Sequence, residues 1–108
     1  MPKVTIALEN PVVTHDGDVR IVTVREPKAR ELFEYGEPFT HARNPDGTIY
    51  SIELDGVMKK YISACVDLDE PFLAQLTLSD GMAIKDAILG FFTESRLKNS
   101  VKSAMPSS

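Results

Sequence analysis

Hydrophobic positions in the first 25 residues follow a period of two. Val4, Ile6 and Leu8 alternate with Lys3, Thr5 and Ala7 in KVTIAL, the pattern of a half-buried strand. A second β-rich run, VRIVTV, follows Asp16-Gly17, where glycine at positive φ suits a tight turn between paired strands. The spacing predicts an antiparallel hairpin over residues 3–25. Pro11 removes one donor from that ladder, which predicts a bulge or an edge position.

From Pro27 the period lengthens. Pro27 ends the strand and can open a helix, its fixed φ and missing N–H suiting a first turn. In PKARELFEYG, Ala29, Leu32 and Phe33 share one face and Gly36 marks the stop, predicting a helix near 28–35. Asn44-Pro45-Asp46-Gly47 is a turn sequence. FTHAR and TIYSIE on either side can pair as a second hairpin, the alternative for 37–52 being an irregular excursion. Leu54, Val57, Met58, Tyr61, Ile62, Cys65 and Val66 then recur at helical spacing, with Asp55, Lys59, Lys60 and Ser63 facing away; this predicts a helix over 54–66 with Asp55 as its cap. Pro71 opens a turn that buries Phe72, Leu73 and Leu76. Ser79 or Asp80 caps a last helix over 79–95. Strands followed by helices predict one α+β domain, residues 1–95, with a small N-terminal antiparallel hairpin packed on about three helices. Residues 96–108 read as a flexible polar tail.

Composition narrows the classes. Of 108 residues 43% are hydrophobic and 26% charged, an ordinary balance for one soluble domain. No run approaches the ~20 apolar residues of a membrane span, and Met1-Pro2-Lys3 leads into an alternating segment rather than a signal sequence. The net charge is −4, yet Arg96, Lys98 and Lys102 stand in the tail without an acid, so the body is more acidic still. An acidic body argues against nucleic-acid binding, which draws on basic patches. The expectation is therefore a soluble, intracellular protein with no nucleic acid and no membrane as partner.

Candidate chemistry is sparse. The sequence lacks GxGxxG, GxxxxGKS, HExxH and CxxC. Cys65 is the only cysteine, set among apolar neighbours away from both His15 and His41, and reads as a buried, inert thiol. Asp67, Asp69 and Glu70 lack the further ligands of a calcium loop, and HDGD at 15–18 reads as a polar turn. Arg25 reads as the partner of an acid at the strand–helix junction. No catalytic residue, cofactor or metal is predicted.

The last helix carries the functional signal. Ile84, Ala87, Ile88 and Phe91 form a core-facing row, while Met82, Leu89 and Phe92 form a second apolar row beside it. Either both rows pack inside, or the second is a surface for a partner helix or another copy of the chain.

The order of these motifs resembles a known family. Arg25-Glu26-Pro27 after a DG hairpin, Tyr61-Ile62 in the middle helix, and LSDGMAIKDAILGFF at Leu78–Phe92 resemble the tail assembly chaperones of Mu-like bacteriophages. The likeness extends from about Val4 to Phe92. It implies a non-enzymatic protein of phage or prophage origin that binds the tape-measure protein during tail morphogenesis. Met82, Leu89 and Phe92 are the candidate partner-binding residues on this chain. The resemblance also implies contact with the tail tube protein, a place in the host cytoplasm and absence from the mature virion. Self-association into a homo-oligomer is compatible with it. Alternatives from other classes are a head–tail connector or tail-terminator subunit, and a small ligand-binding or enzymatic domain.

Overall fold

The architecture is that of a computed structural model, which describes residues 2–104, with side chains through residue 99. It is an α+β fold. In chain order the elements are β1 (Lys3–Thr14), β2 (Gly17–Arg25), α1 (Ala29–Tyr35), β3 (Phe39–Arg43), β4 (Ile49–Glu53), α2 (Asp55–Cys65), α3 (Glu70–Leu73) and α4 (Leu78–Ala104). The strands form two separate antiparallel pairs, β1–β2 and β3–β4.

The β1–β2 hairpin turns through His15 and Asp16, with Gly17 at φ 114° as the first residue of β2. Thr14 fastens the turn: its hydroxyl donates to the Gly17 carbonyl at 2.7 Å and accepts the Asp16 N–H at 3.2 Å. Pairing runs regularly to Ala7↔Ile21 and resumes at Val12↔Val19, so residues 8–11 bulge opposite Arg20 alone. Pro11, lacking a donor, lies in that bulge, as its chemistry requires.

Both outer edges of this sheet are met in part by distant residues. Glu9, freed from the ladder by the bulge, donates its N–H to the Asp80 carboxylate at 3.0 and 3.2 Å. The Gln75 amide mimics a strand, accepting from the Val13 N–H and donating to the Val13 carbonyl, both at 2.9 Å. On the β2 side, Thr23 and Asp67 exchange hydrogen bonds of 2.9 and 3.1 Å, and Val24 bridges Val66. Unpaired edges invite other strands, and these contacts occupy part of each edge.

One face of the hairpin supplies Val12, Val22 and Val24 to the core. Met58, Tyr61 and Cys65 of α2 and Ile84, Ile88 and Phe91 of α4 close over them. The row predicted to face inward on the last helix therefore does so.

Three local expectations are corrected. Asp80 does not cap α4, because its carboxylate is committed to β1; the cap is Thr77, whose hydroxyl accepts the Asp80 N–H at 3.1 Å. Helix α4 does not stop near Ser95 but continues to Ala104, since the segment contains neither Gly nor Pro until Pro106. The predicted polar tail is thus helical over 96–104, and its last residues, 105–108, lie outside the described residues. On α1, Ala29 is exposed and Phe33 is 83% exposed, while Glu31 is the buried residue. A charged residue turned inward rotates the helix away from the face that its apolar residues suggest.

The molecule is elongated. Its radius of gyration is 16.5 Å, against about 13 Å for a compact domain of ~100 residues. Helix α4, with 27 residues, is about 40 Å long by itself.

Candidate interaction surface

The β3–β4 hairpin follows from its turn, where Gly47 at φ 92° takes a backbone conformation that side chains disfavour. Asp46 accepts both the N–H and the hydroxyl of Thr48, at 3.0 and 2.7 Å. The hairpin lies beside α4 without entering the main core. Lys85 Nζ meets Glu53 at 2.6 Å, and Arg96 pairs with Glu37 while lying over the Phe39 ring. Between sheet and helix runs a groove of about 360 Å³ whose walls include Phe39, His41, Ser51, Leu89 and Leu97.

This arrangement divides the second row of α4. Phe92 is half-buried: its ring meets Tyr61 edge-on at 5.2 Å and Phe39 at 6.1 Å. Tyr61 is fixed in turn, donating from its hydroxyl to the Gly36 carbonyl at 2.6 Å and meeting Tyr35 edge-on. Leu89 is half-buried in the groove, and Met82 is 52% exposed. Phe92 is chiefly a packing residue, Leu89 lines the groove, and Met82 faces solvent.

Sequence patterning missed other exposed apolar residues. Ile49, Tyr50 and Ile52 of β4 and Leu97 of α4 are all exposed. In TIYSIE the apolar residues occupy both parities, so alternation could not assign a buried face. Leu97 lies in the segment whose polar composition predicts a tail and which is helix.

The remaining chemical candidates are engaged elsewhere or open to solvent. Arg25 grips Glu31 through both guanidinium nitrogens, at 2.9 and 2.6 Å, and also donates to the carbonyls of Glu26 and Ala64. That grip holds the Glu31 carboxyl below its ordinary range and raises Arg25. The expected junction pairing is present. Burial pushes the Cys65 thiol up to about 11, which leaves no thiolate for nucleophilic work. Ser51 Oγ lies 3.3 Å from His41 Nδ1, but on an exposed strand pair, where water competes for both groups. Asp67 is spent on β2, and His15 meets the edge of Phe72. Among the described residues no group of three or more His, Cys, Asp and Glu side chains is placed to hold a metal ion. No described helix is long and apolar enough to cross a membrane.

No protein-family model, curated protein or solved structure matches this chain. The likeness to phage tail assembly chaperones rests on the motifs alone.

Proposed function

We propose that this protein is a non-enzymatic assembly chaperone that covers the apolar face of a helical client, the tape-measure protein of a Mu-like phage. The observation that carries this reading is the line Met82, Lys85, Leu89, Thr93 and Arg96 along α4. It starts at an exposed methionine, forms one wall of the groove against β3–β4 at Leu89, Thr93 and Arg96, and ends beside exposed Leu97. Walls that carry Phe39, Leu89 and Leu97 among polar residues, with Glu53–Lys85 and Arg96–Glu37 pairs beside them, suit an amphipathic helix, whose apolar stripe enters the groove while its polar flanks meet the charges. Exposed apolar patches of this kind commonly mark contact sites. Many copies along a long client gain by avidity, so each contact can be modest. In this reading the protein also meets the tail tube protein in the host cytoplasm and is left out of the finished particle.

The test is co-expression with the tape-measure protein, followed by pull-down and by analysis of purified particles. Met82→Ser and Leu89→Ser should reduce capture while leaving the protein folded by circular dichroism. Capture indifferent to both substitutions, or the protein recovered stoichiometrically in mature particles, overturns the reading.

A further inference from the structure

The two sheets treat their edges oppositely. The outer edges of β1–β2 are met by side chains or a neighbouring segment at Glu9, Val13, Thr23 and Val24, whereas β4 is exposed along its whole length and nothing among the described residues bonds its outer side. The register shows which groups are open. Hydrogen bonds Asn44 N–H to Thr48 O and Leu54 N–H to Pro38 O flank the β3–β4 ladder, both 2.8 Å. Alternation between them makes Ala42/Tyr50 and Thr40/Ile52 the bonded pairs. The N–H and C=O groups of Ile49, Ser51 and Glu53 therefore point outward, away from β3.

We propose that β4 pairs antiparallel with β4 of a second copy of this chain, about a two-fold axis at Ser51, joining two β3–β4 hairpins into one sheet. The strand is self-complementary in this register. Ser51 meets its counterpart, Ile49 and Glu53 exchange bonds with Glu53 and Ile49 of the second copy, and Tyr50 stands directly opposite Ile52. Aromatic and β-branched residues are favourable cross-strand neighbours, and this is their closer, non-bonded position. Charge selects the direction. Antiparallel pairing sets each Glu53 against an isoleucine and leaves it free to hold Lys85, whereas an in-register parallel pairing would stack the two glutamates. The devices that usually guard an edge, lysine, proline or a bulge, are missing from IYSIE. Strand β3 is the weaker candidate, being half-buried at Phe39 and Ala42, with Arg96 lying over the Phe39 ring. Side chains opposite one another in a sheet share a face, so both α4 helices lie on the same side of the joined sheet. Their grooves then open toward one surface.

Sedimentation of the full chain reads the pairing, and dimers should form with twice the 11.9 kDa mass. Ser51→Cys should give a reducible covalent dimer under mild oxidation, since bonded antiparallel pairs place Cα atoms ~5.5 Å apart, within disulfide reach. Arg43→Cys, on the outer edge of β3, should give none. Ser51→Pro removes an outward N–H, and Tyr50→Lys breaks the apolar pair; each should yield a folded monomer. A monomeric wild type, a dimer that survives both substitutions, or cross-linking through residue 43 instead of 51 overturns the proposal. So does a monomer whose Ser51→Pro variant loses client capture, because a client strand then occupies the edge. Intact pairing without client capture would count against the chaperone reading alone.

Discussion

Glu31 is buried on a helix of seven residues because Arg25 meets both of its oxygens and the Lys28 N–H donates to it at 2.9 Å. The Arg25 hydrogen bonds are the main cause of its lowered pKa, and burial opposes them. A carboxyl with a depressed native pKa adds stability that is fully present above its ordinary value of 4.5 and is lost as the pH falls through the lower native value. Urea melts between pH 7 and pH 3 should therefore show a decline beginning below about pH 4.5 that Glu31→Gln flattens. The same substitution should cost about 1–3 kcal/mol at neutral pH, because the guanidinium loses its charged partner. An unchanged acid limb in Glu31→Gln would place the titration elsewhere. Arg25 could be read from sequence as an acid's partner. That the acid is Glu31 could not, since patterning takes a charged helical residue to face water.

At the scale of elements, regular periodicity was legible and coverage was not. The strand alternation of residues 3–25 and the helical spacing of residues 55–65 each report a local repeat that burial on one face explains. Whether the second row of α4 is covered depends on where β3–β4 comes to rest, and no local pattern records that. The rows should accordingly separate in denaturant melts. Ile88→Ala should cost about 2–5 kcal/mol, as a cavity in a closed core does. Met82→Ser should stay within about 0.5 kcal/mol, the usual range for an exposed site. Phe92→Ser should fall between them, about 1–3 kcal/mol, because its ring is half-buried against Tyr61 and Phe39. If Phe92→Ser is as harmless as Met82→Ser, those ring contacts hold nothing in place.

The whole molecule combines a partly sealed sheet with an open one and is longer than its size requires. Its fold class followed from the order of strand and helix patterns. The candidate surface did not, because it is defined by what fails to pack, and Ile49, Tyr50 and Ile52 look like core residues in any local window. Function was legible only as a likeness in motif order.

The seals on β1 are also late in the chain. Gln75 and Asp80 reach Val13 and Glu9 across 62 and 71 residues. On a ribosome adding ~5–20 residues per second, the first hairpin emerges seconds before the groups that cap it. Through that interval its edge is as open as that of β4, and it also carries Val12, which has not yet found α4. Synthesis order thus exposes the N-terminal hairpin to wrong partners, and completion of the chain withdraws it. A fragment ending at residue 74 should aggregate on expression, whereas full-length Gln75→Ala, which lacks only one of the two seals, should accumulate in soluble form. Equal solubility of the fragment and the full chain would mean that the hairpin protects its own edge.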